Sequence, residues 1–281
     1  MTAPKKISAV VSDVDGSLVT DDKQLTPETI RAVARLRDAG LAFTVISSRP
    51  PRGLREIVAA LDVEAPVAGF NGGVIAGPDL APLAEHILAP RTAQRALDLL
   101  RAHEVQTWVF SKQDWLARDL RGAYVAHEQR TVQFPPTHVE SFDAALKTSA
   151  KIVAVSADFS ALDACEAQMR ESLGDEANVV RSQNYYLDIT HPRANKGDGL
   201  AELARLMQTP LEEIAVIGDG ANDVAMFARA GLAIAMGNAA PEVRARADFV
   251  TASNSADGFA GAVERFVLAP EAPAVREGGR R

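Results

Sequence analysis

Apolar positions in the first eighty residues follow two alternating patterns. "ISAVV" (7–11) is a continuous apolar run, short enough for a strand buried on both faces. "LTPETIRAVARLRDAG" follows, with Thr26 as an N-cap and Pro27 at the first helical position. Ile30, Val33, Ala34 and Arg37 recur at helical spacing, which predicts a short apolar face, and Gly40 ends the segment. "LAFTVIS" predicts a second strand, and "PRGLREIVAAL" a second helix with Leu54, Ile57, Val58 and Leu61 on one face. "APVAGFNGGVI" reads as strand, glycine turn, strand. Strands alternating with helices of this length imply βαβ units and a parallel sheet.

The texture changes near Pro78 to Pro82. A helix is predicted over Thr92–His103, then a strand "VQTWVF", then a stretch holding most of the aromatic residues. A strand "KIVAVS", a helix "ALDACEAQMRESLG" and two strands, "NVVRS" and "YYLDIT", come next; the last two turn near Gln183 and Asn184 as a hairpin. From Asn195 the alternation returns: helix "KGDGLAELARLM", strand "IAVIG", helix "NDVAMFARAG", strand "LAIAM", and helices "APEVRARA" and "ADGFAGAVERFVL". The simplest parse is one α/β domain, residues 1–81 and 195–268, interrupted by an α+β domain at 82–194. The tail, 269–281, is rich in Pro, Gly and Arg and reads as disordered.

Composition narrows the partners. Hydrophobic residues make up 47% and charged residues 24% of the 281, a soluble globular profile. A net charge of −7 argues against a nucleic-acid backbone or an anionic membrane as the main partner, but not against a small anionic ligand. The lone cysteine, Cys165, allows no intrachain disulfide and fits a reducing compartment. No apolar run is long enough for a bilayer, and Ile7–Val11 is too short for a signal peptide, so the expected location is the cytoplasm.

The unusual polar residues fall at strand ends. Asp13 and Asp15 follow "ISAVV"; Ser47, Ser48 and Arg49 follow "LAFTVI"; Asp219, Asn222 and Asp223 follow "IAVIG". Parallel strands present these ends on one edge, where open α/β sheets bind ligands. Carboxylates gathered there repel one another and are costly to desolvate. Mg²⁺ resolves this, since it takes one or two carboxylates and shares its shell with a substrate phosphate. Lys196, at a helix start, is a candidate phosphate-binding cation; Ser47 offers a hydroxyl, and the turns at Gly16 and Ser48 offer backbone N–H groups. Together these would hold a transferring phosphoryl group.

Each piece alone has a plainer reading. Aspartates often open capped turns. "GDGAND" could be a strand–helix turn, and it lacks the glycine spacing of a dinucleotide fingerprint. Lys196 could be a solvated lysine, and Asp21 and Asp22 read as a solvated turn. Cys165, Trp108, Trp115, Tyr124 and Phe134 read as packing residues, and the 5 histidines show no metal-ligand spacing, with His191 near a domain junction. Arg49 and Asn71 lie on loops facing the inserted domain, as substrate contacts or simply as loop residues.

"DVDGSL", "VISSR", Lys196 and "GDGANDVAMF" together resemble the four motifs of the haloacid dehalogenase (HAD) superfamily of phosphotransferases, in the family's order. The insertion resembles the C2-type cap of the Cof-like, type IIB sugar phosphatases, and "GNAAPEVRARAD" resembles that group's sequence after the fourth motif. The resemblance implies a Rossmann-like parallel-sheet α/β core with an inserted α+β cap. It implies Asp13 as nucleophile, forming an aspartyl phosphate, and Asp15 as general acid–base. It implies that Mg²⁺ is held by the Asp13 carboxylate, the Asp15 carbonyl and Asp219, with Asp223 in support, and that Ser47, Lys196 and Asn222 bind phosphate, with the Ser48 backbone as a further contact. Ser17 stands where threonine is commoner, "SSR" replaces Thr-Gly-Arg, and Asp188 stands where glutamate is usual; none removes a required group. The expected activity is hydrolysis of a small phosphorylated metabolite, a sugar phosphate. A phosphomutase, since phosphomannomutases carry the same cap type, and a non-catalytic sugar-phosphate sensor are the alternatives.

Overall fold

A computed structural model of the chain describes residues 6–103 and 105–269. The disordered tail expected from composition therefore lies, from residue 270 onward, outside the described residues. In chain order the first elements are β1 (Ala9–Ser12), α1 (Pro27–Asp38), β2 (Ala42–Val45), α2 (Arg55–Leu61), β3 (Val67–Gly69), β4 (Val74–Ala76) and β5 (Pro82–Glu85). Then come α3 (Pro90–Ala102), β6 (Gln106–Ser111), β7 (Asp114–Ala117), α4 (Val125–Val132), β8 (Thr137–His138), β9 (Ser149–Val155), α5 (Phe159–Leu173), β10 (Asn178–Gln183) and β11 (Tyr186–Thr190). The last are α6 (Lys196–Met207), β12 (Ile214–Gly218), α7 (Val224–Phe227), β13 (Leu232–Ala235), α8 (Pro241–Arg244), β14 (Phe249–Val250) and α9 (Gly258–Ala262). The chain divides into two compact units, Met1–Phe43 with Thr209–Arg281, and Thr44–Gln208.

The first unit is built on a sheet ordered β14-β13-β12-β1-β2, whose outer strand β2 crosses the division between units. β1 pairs with β12, β12 with β13, and β13 with β14, all parallel. β1 and β12 are buried along their whole length, as continuous apolar runs in a parallel sheet should be. α1 starts as the sequence predicts, the Thr26 hydroxyl accepting from the Thr29 N–H at 3.1 Å with Pro27 next. Its buried face is not the predicted one: Thr29, Ala32, Val33 and Leu36 are inside, and Ile30 is 40% exposed. The spacing is the same, rotated by one residue, because that rotation buries Leu36 in place of Arg37. The helix predicted over "NDVAMFARAG" is also shorter, a 3₁₀ turn at Ala221–Asp223 followed by α7. Gly231, the end of the predicted helix, lies outside it: its N–H donates to the carbonyls of Leu211 and Ile214, and a Cβ there would collide with the Glu212 backbone.

The second unit holds a six-stranded sheet ordered β10-β11-β9-β6-β7-β8, antiparallel throughout except where β7 meets β8. The predicted hairpin is β10–β11. One face packs on α3 and α5, through Leu97, Leu100, Ile152, Leu162, Cys165 and Ile189. The other carries Trp108, Phe110, Trp115, Val153 and Tyr186, and meets Val125 and Val132 of α4 together with Phe70 and Val74. Trp108, Trp115 and Phe134 are core, as expected. β5, β7, β8 and α4 fall where no element was predicted, in short or aromatic-rich stretches without a clear period.

The same unit contains the antiparallel sheet β3-β4-β5 and the helix predicted over "PRGLREIVAAL", which opens as a 3₁₀ turn at Pro51–Leu54 and continues as α2; Leu54, Ile57, Val58 and Leu61 are buried as predicted. α6 opens with Asn195 as N-cap, its side-chain oxygen accepting from the Asp198 N–H at 2.9 Å. Gly72 and Gly199 meet backbone to backbone: a Cβ at Gly72 would lie 2.5 Å from the Gly199 Cα, and a Cβ at Gly199 2.7 Å from the Gly72 Cα. Among the described residues, no helix is long and apolar enough to cross a membrane.

Candidate active site

The parallel ladder of β1 and β12 aligns Ser12 with Ile217, and the Asp13 N–H still donates to the Ile217 carbonyl at 2.8 Å. Asp13 thus leaves the sheet beside the turn that carries Asp219. Asp13, Asp219 and Asp223 each offer an oxygen within 4.8 Å of the others. Asp13 is 6% exposed and Asp223 is fully buried. Asp223 Oδ2 accepts from the N–H groups of Asp219 at 2.9 Å and Gly220 at 2.8 Å, which locks the turn. Asp219 accepts from the Ser17 hydroxyl at 3.2 Å and the Asn238 amide at 3.1 Å. Gly16 is required here: its φ is +84°, and a Cβ would lie 2.8 Å from the Asp219 Cγ. Three converging carboxylates, two of them (Asp219 and Asp223) oriented by neighbouring donors, form a hard-oxygen set that suits Mg²⁺ and repels itself without a cation.

The loop after β1 is held from outside. Asp15 pairs with Lys23 at 2.8 Å. The Asn238 side chain donates to the Gly16 carbonyl at 2.9 Å, and its Oδ1 accepts from the Asn254 N–H at 3.1 Å. The Asn254 side chain in turn donates to the Val19 carbonyl at 3.1 Å and to Asp21 Oδ1 at 3.0 Å. Asp21, read from the sequence as merely solvated, is therefore an exposed acceptor that ties the loop down. Lys23, Asn238 and Asn254 were not singled out from the sequence. The resemblance of "GNAAPEVRARAD" pointed at the stretch holding Asn238, whereas a lysine in a charged turn carries no signal of its own. Asn222 is exposed, in the 3₁₀ turn before α7.

The second unit holds the remaining residues. Ser47 is buried; its N–H donates to the Ala68 carbonyl at 2.9 Å, its carbonyl accepts from the Asn71 N–H at 2.7 Å, and its hydroxyl accepts from the Arg49 N–H at 3.2 Å. Ser48 is exposed. Arg49 is buried, and its carbonyl accepts from the Phe70 N–H at 2.9 Å, so Arg49 and Asn71 are anchored to one loop. Asn71 sits in the left-handed region at φ 57°. Lys196 opens α6 and is 1% exposed, so the solvated reading of this lysine does not hold. His86 and His191 stack, ring centroids 5.4 Å apart and 23° between planes. Burial, then the Arg193 charge, lowers the His86 pKa; burial, then His86 and Arg193, lowers that of His191. Burial pushes the Cys165 thiol up to about 11, which leaves it unsuited to nucleophilic chemistry.

The chain matches the haloacid dehalogenase-like hydrolase family over residues 10–263. It is 23% identical to 5-amino-6-(5-phospho-D-ribitylamino)uracil phosphatase YcsE of Bacillus subtilis, over 93% of this chain and 96% of that protein. The crystal structure of a haloacid dehalogenase-like hydrolase from Bacteroides thetaiotaomicron superposes with a TM-score of 0.86 at 26% identity, covering 92% of this chain and 99% of that one. The HAD subclass IIB sugar phosphatase BT4131 shares the fold at a TM-score of 0.79 and 21% identity, over 92% and 98%. With a family match across nearly all of both units, the chain belongs to the haloacid dehalogenase-like hydrolases, on the Cof-like branch, and it is a phosphatase.

Proposed function

We propose that the protein hydrolyses the phosphate monoester of a small metabolite, a sugar phosphate, through an aspartyl-phosphate intermediate and with Mg²⁺. The convergence of Asp13, Asp219 and Asp223 at the paired ends of β1 and β12 carries this reading. Asp13, the Asp15 carbonyl and Asp219 would hold Mg²⁺, with Asp223 fixing the turn beneath them. The ion would offset the charge of the phosphoryl group and of the carboxylates around it. Asp13 attacks phosphorus; Asp15 protonates the leaving oxygen, then takes a proton from the water that frees Asp13. Ser47, the Ser48 backbone, Lys196 and Asn222 bind phosphate oxygens, and Arg49 and Asn71 are assigned to the substrate. Residues 1–81 and 195–268 are assigned to catalysis and 82–194 to a cap that excludes water and selects the leaving group. The named activities of YcsE and BT4131 are consistent with a phosphorylated polyol as substrate. A lone buried cysteine fits the cytoplasm as its location.

The test is phosphate release from a phosphoester panel in Mg²⁺ buffer, for the wild type and for Asp13→Asn. Activity in the variant should fall to background with an unchanged circular dichroism spectrum. Near-normal turnover would remove Asp13 from the nucleophile's role. Asp15→Asn should lose about 10²- to 10⁴-fold, most with poor leaving groups.

A further inference from the structure

On the aromatic face of the six-stranded sheet lies a charged pair that the catalytic reading does not use. Lys151 on β9 and Asp188 on β11 are diagonal neighbours, since Lys151 is paired with Thr190 and Asp188 with Val153. Lys151 Nζ and Asp188 Oδ2 are 2.7 Å apart. Lys151 is 8% exposed and Asp188 6%. The ammonium stands 6.0 Å from the Phe110 ring centroid, and the other oxygen of Asp188, Oδ1, is buried without a hydrogen-bond partner.

A buried ion pair repays its desolvation only when its remaining lone pairs are met, and an orphaned carboxylate oxygen leaves this one unrepaid. As a device for holding the sheet together, two apolar side chains would serve better. As a ligand site the arrangement is coherent. A hydroxyl can donate to Asp188 Oδ1 while its neighbour accepts from a second N–H of Lys151. Two adjacent hydroxyls match this; a second phosphate would meet the carboxylate's charge, and an apolar group would leave Oδ1 orphaned.

The pair is linked through packed side chains to the loop assigned to phosphate. Asn71 bonds the Ser47 carbonyl at 2.7 Å, the preceding Phe70 ring lies 5.6 Å from that of Phe110, and Phe110 lies under Lys151. Two aromatic rings thus separate the Ser47 loop from the pair. We infer that Lys151 and Asp188 form a polyol subsite that recognises adjacent hydroxyls on the leaving group and sets substrate choice. This rests on the proposed phosphatase reading and deepens it.

The test compares kcat/KM on a panel of three- to six-carbon sugar and sugar-alcohol phosphates with kcat/KM on p-nitrophenyl phosphate, which has no hydroxyls to read. The variants are Lys151→Met, Asp188→Leu and the double variant, in which no unpaired charge remains to unfold the sheet. The ratio of the best panel member to p-nitrophenyl phosphate should fall about tenfold or more, mainly through KM. A ratio within about twofold of wild type, or a wild type that turns over no panel member, would overturn the subsite. The catalytic reading fails separately: retention of p-nitrophenyl phosphate turnover by Asp13→Asn removes the nucleophile but leaves a selective loss in the Lys151 and Asp188 variants standing.

Discussion

Gly16 shows how much a single hydrogen atom can matter at the residue scale. Its left-handed φ and the Asp219 carboxylate beside it leave no room for a methyl group. Gly16→Ala should displace Asp219, and a misplacement of about 1 Å can cost about 10²-fold in rate. Steady-state kinetics with a circular dichroism control would check it: a loss of that order with native secondary structure is expected, and wild-type kinetics would contradict the geometry. Asp13 and Asp219 were legible in the sequence because each sits just past an apolar run, where a charge has no packing role. Asn238 and Asn254 act through amide hydrogen bonds across the fold, and such bonds leave no periodic trace.

At the scale of elements, the stacked imidazoles after β5 and β11 make a pH-dependent contact. Both folded-state pKa values lie below the ordinary 6.5, so in mild acid the unfolded chain binds more protons than the folded one. Their stabilising contribution is present above about pH 6.5 and is lost as the pH falls from there through the lower folded values. Replacing both by phenylalanine keeps an aromatic contact and removes the protons. The fall in melting temperature between about pH 7.5 and pH 5.5 should then be smaller than in the wild type, and an equal fall would refute the linkage. Elements with a clean period were legible: α2 buries Ile57, Val58 and Leu61, and the 3₁₀ turn before it buries Leu54, the four residues the spacing picks out. Where two faces compete, as on α1, spacing leaves the rotation open and the charge on Arg37 decides it. Strands as short as β8, two residues long, hold no period to read.

For the whole molecule, the net charge of −7 and a three-carboxylate cluster point the same way: a divalent cation should stabilise the folded chain. A ligand at a hundredfold excess over its Kd contributes about 2.7 kcal/mol. Millimolar MgCl₂ should raise the melting temperature by several degrees, a chelator should reverse this, and Asp219→Asn should abolish the shift. A wild type indifferent to Mg²⁺ would count against the carboxylate set as its site. The α/β class and the return of the alternation at Asn195 were legible because buried parallel strands and capped helices are local patterns. The make-up of the aromatic sheet face was not, since it depends on cross-strand neighbours far apart in sequence.

The contact between Gly72 and Gly199 bears on how such a chain can diversify. The chain enters this excursion at Gly72 and leaves it at Gly199, where the two backbones touch. An excursion whose ends are pinned together can be lengthened, shortened or exchanged at little cost in closure entropy. The segment is thus a transplantable cassette, and the two glycines are its joint. A library that recombines cassettes between relatives should keep both of them, together with Asn195 and Lys196, and vary the stretch assigned to the cap, 82–194.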